Sequence, residues 1–351
     1  MDNRSHRRLD RIQIARSAGY ITIKNGLDKY HQQNKRFNKS CPDLAGSTTT
    51  FYIVQQIDSK TMRHHLENEN IKITVNSHGA ELKSVFNKSN QQEVLWQADP
   101  EFWGKSSPVL FPIVGTLKKD IYIYDQKQYK LPRHGFARDY TFKLDEASDS
   151  QFIFSLESSA ETLQIYPFLF KLQITYTLLG RSLHVAYKVE NLSDVETMYF
   201  SLGAHPAFKV GIKPDDFSSY TLLFNKDSAL KANCLKNGLL TNEQNKIQLS
   251  HQKLQLNYKL FENDALVVLD LKSDKVTLLD NVDKNIFTFE FKNFPFFGIW
   301  TVKDSGFICL EPWAGVADFD SHDQQLENKT GSNMLQPKEE WSASWTICIP
   351  K

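Results

Sequence analysis

The sequence is poor in several things, and each shortage narrows the field. It has four cysteines, Cys41, Cys234, Cys309 and Cys348, widely spaced and without a Cys-x-x-Cys pair. That excludes a disulfide framework and a cysteine-based zinc site. Cys309 and Cys348 fall inside apolar strand patterns and are expected as buried thiols. Net charge is only +1, so there is no basic field of the kind nucleic acid requires. No stretch is long and apolar enough to span a membrane, and the start lacks the apolar core of a signal peptide. The chain therefore reads as cytoplasmic and reduced, with sequons such as Asn328-Lys-Thr330 left unglycosylated. Methionine is scarce, with 4 residues against 24 phenylalanines and 13 tyrosines, a balance that suits strands better than a helical bundle. No repeat of fixed period is present, so a propeller is not expected.

The first 61 residues differ from the rest. Arg4, Arg7, Arg8, Arg11 and Arg16 make them basic, and 32–39 and 47–50 are polar without a sustained period. Asp2 and Asp10 argue against a transit peptide. Residues 1–61 read as a flexible basic N-terminal extension without chemistry, and 62–351 as one domain.

From Leu66 onward the chain is strands and turns. Residues 71–75 alternate, and strands are expected at 82–86, 93–96, 121–124 and 151–157. Asp99-Pro-Glu-Phe-Trp103 reads as one helical turn with Asp99 as its cap and Pro100 at the first position. The clearest alternation puts Phe168, Phe170, Leu172, Ile174, Tyr176 and Leu178 on one face, and Leu183, Val185, Tyr187 and Val189 repeat it after Gly180-Arg181. A long hairpin follows. Further strands are expected at 220–224, 265–270, 276–279, 286–291, 297–301, 307–311 and 343–349. Many strands with almost no helix predict an all-β fold, a large antiparallel β-sandwich.

Three stretches carry ionisable side chains in unusual company. In Ser201-Leu-Gly-Ala-His205-Pro-Ala-Phe208 a strand runs into a histidine that Pro206 holds extended. Phe307-Ile-Cys-Leu-Glu311-Pro-Trp313 repeats the device with a glutamate. Leu131-Pro-Arg-His134-Gly-Phe-Ala-Arg138-Asp139 flanks an apolar segment with His134 and Arg138. Upstream, Ser107-Pro-Val-Leu-Phe-Pro112-Ile-Val-Gly115-Thr116-Leu-Lys118 ends an apolar run in a glycine turn that brings Lys118 toward the same mouth. Each stretch alone also fits an ordinary loop, a solvated lysine or a surface charge pair. Together they predict an acid and a base on rigid supports.

These motifs, with Phe297-Gly-Ile-Trp-Thr301, resemble the aldose 1-epimerase (mutarotase) family in its bacterial-type branch, in matching order over residues 66–350. The resemblance implies a galactose mutarotase-like supersandwich with an open cleft for a pyranose, no cofactor and no metal. Under it, His205 matches the general acid, Glu311 the general base, and His134 a histidine that orients the sugar ring. Asp264, in Phe261-Glu-Asn-Asp-Ala-Leu266, matches more loosely a carboxylate that bonds sugar hydroxyls. Members acting on hexose 6-phosphates are similar at Arg138 but often carry a second arginine after Phe-Pro-x-x-Gly. Here that position is Thr116, which speaks against a two-arginine clamp, with Lys118 left as a point charge. Trp313, Trp300 and Phe136 are candidates for stacking on the sugar or for the core.

The chemistry suits the side chains. Glu311 as carboxylate takes the proton from the C1 hydroxyl, His205 as imidazolium protonates the ring oxygen, and closure after rotation about C1–C2 gives the other anomer. The expected partner is a small aldohexose, free or phosphorylated, with neither nucleic acid nor membrane, on a monomer or weak dimer. Two other readings stay open: a passive carbohydrate-binding sandwich, and a glycoside hydrolase pairing Glu311 with Asp264 or Asp318. Metal chemistry is disfavoured because His134 and His205 have no companions at ligand spacing.

Overall fold

The alternating runs near residue 180 form the hairpin that their pattern predicts. Strand Phe170–Leu179 pairs with Ser182–Asn191 from Phe170↔Asn191 to Leu179↔Ser182. Their even and odd apolar sets, Phe170, Leu172 and Ile174 with Leu183, Val185 and Val189, are buried. Period two drives this, because successive strand side chains point to opposite faces.

The computed structural model describes residues 62–211 and 214–351, together with the backbone of two short strands, Arg16–Ser17 and Tyr20–Ile21. The expected extension at 1–61 otherwise lies outside the described residues. The hairpin sits in a nine-stranded antiparallel sheet, in the order Lys143–Ala147, Gln151–Glu157, Phe170–Leu179, Ser182–Asn191, Glu340–Cys348, Asn285–Lys292, Lys275–Leu279, Thr221–Phe224 and Lys253–Gln255. A second sheet of eight strands runs Leu239–Gln248, Ala229–Lys236, Leu266–Val268, Phe296–Trp300, Phe307–Ala314, Leu202–Ala204 and Val109–Leu110, with Ala207–Lys209 also pairing Phe307–Ala314. Aromatic rings meet between the two sheets: Phe291 stacks on Phe297 at 4.7 Å, and Phe208 lies 4.6 Å from Phe287. A four-stranded sheet begins the domain with Arg63–Glu67 and Ile71–Asn76. The fold is thus the expected antiparallel sandwich, and among the described residues no helix is long and apolar enough to cross a membrane.

Two local expectations need correction. Cys348 is exposed, not buried. Ala343, Trp345, Ile347 and Ile349 face the core, and Cys348 is on the opposite parity of the same strand. The hairpin Ala229–Lys236 with Leu239–Gln248 was not foreseen, because its second strand is largely exposed and polar and offers no alternation to read. Its local signal is Asn237-Gly238, whose φ angles of 53° and 77° make the tight turn that Asn-Gly favours. The expected turn at 99–103 is present: the Trp103 amide donates to the Asp99 carbonyl at 2.8 Å, and the Glu101 amide to Asp99 Oδ1 at 3.0 Å.

Candidate active site

Strand Phe307–Ala314 is buried along its whole length, so both of its faces do work. Ile308 and Leu310 enter the main core. Cys309, Glu311 and Trp313 point the other way, toward a cleft whose lining includes Glu311 and Trp313. Gly298 lies opposite Glu311 and Gly203 opposite Trp313. A Cβ on either glycine would come within 2.6 Å of the Trp313 ring. The absence of side chains at these two positions is what lets the indole lie across the neighbouring strands.

His205 lies between Leu202–Ala204 and Ala207–Lys209, two short strands that both pair with Phe307–Ala314. That crossing brings His205 Nε2 to 3.2 Å from Glu311 Oε2, with side chains only 9% and 2% exposed. Three rings enclose the imidazole. Trp103 stacks on its face (4.8 Å, 25°), while Trp300 (5.9 Å, 85°) and His134 (5.8 Å, 81°) meet it edge-on.

His134 is held by a reciprocal pair with Gly115. Its amide donates to the Gly115 carbonyl at 2.9 Å, and the Gly115 amide donates to His134 Nδ1 at 3.1 Å. Arg133 Nε also lies 3.2 Å from His134 Nε2, and a neutral imidazole cannot accept at both nitrogens. The Gly115 amide is fixed in the backbone, whereas the Arg133 side chain is 52% exposed and reaches only a 4.0 Å contact with Asp264 besides. Nδ1 is therefore the acceptor, and Nε2 carries the proton toward the cleft.

Burial dominates the electrostatics. It pushes the Glu311 carboxyl well above the usual carboxylate range, an effect that Arg133 opposes and Asp264 reinforces. It pulls His205 down to about 3, with Arg133 and Arg138 pulling the same way, and His134 well below its ordinary value. Desolvation penalises a lone charge on any of these groups. With the two shifted in these directions the pair's proton rests on Glu311, and neutral acid with neutral imidazole has the same net charge as carboxylate with imidazolium. Apart from the 3.2 Å contact with His205 and a loose approach of the Trp313 indole, the buried Glu311 Oε2 and Trp313 Nε1 make no well-formed hydrogen bond, which leaves both for a hydroxylated ligand at the cleft.

Folding also gives His205 the companions that the sequence reading denied it. Single donor atoms of His205, Cys309 and Glu311 lie within 4.8 Å of one another. Burial holds the Cys309 thiol well above its ordinary range, so at neutral pH the sulfur lies beneath the pair as a protonated thiol.

The other expected site residues divide. Asp264, in backbone with φ 90°, stands at the rim, its Oδ1 accepting from the Ala265 amide at 2.8 Å and lying 4.0 Å from Arg133. Arg138 and Lys118 are not brought to the cleft wall. Arg138 donates to the Arg133 carbonyl at 2.8 Å and pairs loosely with Asp139. Lys118 Nζ is turned to the His322 carbonyl at 2.9 Å. Asp318 is committed elsewhere: Lys329 Nζ lies 2.7 Å from its Oδ1, both side chains 1% exposed, and the Lys118 amide donates to its Oδ2 at 2.9 Å. It is thereby removed from any pairing with Glu311. The sequence reading missed Arg133, which lines the cleft from inside the motif already singled out. It also missed Leu235, Gly238 and Leu240, contributed by the unforeseen hairpin.

A family profile described as aldose 1-epimerase matches residues 62–348. The chain is 34% identical over 298 residues to protein LacX, plasmid form, of Lactococcus lactis subsp. lactis, covering 82% of this chain and 99% of that one. Among solved structures, a galactose mutarotase related enzyme from Lactobacillus acidophilus superposes with a TM-score of 0.77 at 34% identity, over 83% of this chain and 98% of the other. A galactose mutarotase-like protein from Lactobacillus casei gives 0.77 at 30% identity, over 82% and 100%.

Proposed function

The chain belongs to the aldose 1-epimerase family, and from that premise we propose that it interconverts the α and β anomers of free aldohexoses by general acid and base catalysis. The observation that carries this reading is the buried His205–Glu311 pair, 3.2 Å apart at the cleft. Transfer of the shared proton from Glu311 to His205 makes the pair reactive without changing its net charge. The carboxylate takes the C1 hydroxyl proton while the imidazolium gives one to the ring oxygen, so the C1–O5 bond breaks and a carbonyl forms at C1. Rotation about C1–C2 presents the other face, and the same two transfers in reverse close the ring. Each positioned group contributes about 10²–10⁴-fold.

The supporting parts follow from their placement. His134 Nε2–H is a donor for a sugar oxygen, its tautomer held by Gly115. Arg133 and Asp264 at the rim offer a donor fork and an acceptor to hydroxyls. Leu235, Leu240 and Trp313 supply apolar surface for the sugar's carbon face.

The test is to dissolve a single anomer of each of several aldoses and follow its approach to equilibrium by polarimetry or NMR, with and without protein. Acceleration of at least one free aldohexose is expected. Sugar binding without acceleration would replace this reading with that of a passive binding module.

A further inference from the structure

Glu311 meets the His205 ring at Nε2, 3.2 Å away; the face of the ring is covered by something else. The capped turn at residues 99–103 ends on Trp103, whose indole lies 4.8 Å from the imidazole at 25°. That is a stack, not an edge contact. The indole is itself held from several sides. The Trp103 backbone carbonyl accepts from Trp96 Nε1 at 2.9 Å, and on the indole itself Phe307 stacks at 5.8 Å and Trp300 packs edge-on at 5.6 Å. The Trp103 ring is therefore fixed, and so is the plane that it imposes on His205. An imidazole has a soft torsion about its Cβ–Cγ bond, and nothing in the Glu311 contact alone holds the ring against rotation.

We propose that Trp103 is a positioning residue for the reaction: its indole face locks the His205 ring so that Nε2 stays on Glu311, and it steadies the imidazolium during turnover. A cation over a tryptophan face within about 6 Å of the centroid is attracted by the ring quadrupole, most strongly where water is excluded. Burial works against charge on His205, and the indole face and the Glu311 carboxylate both oppose that burial. This inference rests on His205 being the proton donor proposed above.

The test compares Trp103→Phe, Trp103→Tyr and Trp103→Leu in the full chain, with melting temperature, kcat and KM measured for each. Phenylalanine and tyrosine keep an aromatic face and are expected to hold kcat within about threefold. Leucine fills space without a face and is expected to lower kcat by about 5- to 30-fold at unchanged KM, the size of a cation–π contact. Equal losses in all three variants, a loss confined to KM, or wild-type kcat in Trp103→Leu would overturn the proposal. A readout without sugar comes from the ring nitrogens of His205 in ¹⁵N-histidine-labelled protein. Wild type and Trp103→Phe are expected to show one tautomer, and Trp103→Leu shifts averaged between two. Identical spectra in all of them would overturn ring locking, whatever the activity. A wild type that accelerates no sugar's anomer exchange would instead overturn the epimerase reading, with the spectra still deciding whether Trp103 holds the ring.

Discussion

A Cβ placed on Gly298 would stand 2.6 Å from the Trp313 six-membered ring. The cleft wall therefore depends on an atom that is missing from the adjacent strand. Gly298→Ala is expected to force the indole aside and to destabilise the domain by about 1–3 kcal/mol, as overpacking does. Chemical denaturation gives the loss, and Trp313 fluorescence against a Trp313→Phe control reports the displacement. Unchanged stability and emission would mean that the wall can yield freely.

Glu311→Gln keeps volume and shape and removes the proton acceptor. Turnover is expected to fall by at least about 10²-fold while the fold persists. Near-normal kcat in a folded Glu311→Gln protein would exclude Glu311 as the base.

Stability should depend on pH in a direction set by the lowered histidines, with the buried Glu311 opposing them. His134 and His205 titrate below their ordinary value of 6.5 when folded, His205 at about 3, so the unfolded chain binds more protons there. Glu311 titrates above 4.5 when folded, so the native state binds one more. His64, His65 and His184 are lowered in the same direction, so below pH 6.5 the unfolded chain binds more protons at the histidines and stability falls on acidification. The histidine contribution is complete above pH 6.5 and lost toward the folded values; the Glu311 contribution runs oppositely, lost as pH rises. Glu311→Gln should accordingly steepen the acid limb. Denaturation series at several pH values check this, and a flat profile would contradict the assigned burial.

Arg133 and not Arg138 or Lys118 stands at the cleft. Arg133→Ala is expected to lower kcat/KM for free aldohexoses by about 10-fold or more, the scale of a hydrogen bond from a charged group. Lys118→Ala should leave both glucose and glucose 6-phosphate nearly unchanged. A selective loss of about 10²-fold on the phosphorylated sugar in Lys118→Ala or Arg138→Ala would establish a phosphate site, as would strict dependence of the unmodified protein on the phosphate.

Lys329 is a buried cation held by the Asp318 carboxylate and the Val316 carbonyl, each at 2.7 Å. Lys329→Met strands a buried carboxylate beside the wall residue Ala317 and should cost about 3–5 kcal/mol. Removing both charges with Asp318→Asn and Lys329→Met should cost less than Lys329→Met alone. The reverse order in urea titrations would show that the pair is not coupled.

Local patterning along the chain was enough to read the sandwich and to single out His205 and Glu311. Period-two alternation around residues 170–190 allows only one face to be buried, and a histidine or glutamate before proline in an apolar run is a local signal, although the strand at Glu311 continues through Pro312 to Ala314. Tertiary structure decided which charges reach the cleft. Arg133, His134 and Arg138 share one motif, and backbone turns that no side-chain pattern encodes sent Arg133 to the rim and Arg138 to a carbonyl. The same holds for Asp318, claimed by Lys329 eleven residues on, and for Trp103, whose capped turn was legible while its target was not. Local propensity acts over a few residues; the contacts that set His205 against Glu311 and Trp103 come from strands and loops that only the folded sheets bring together.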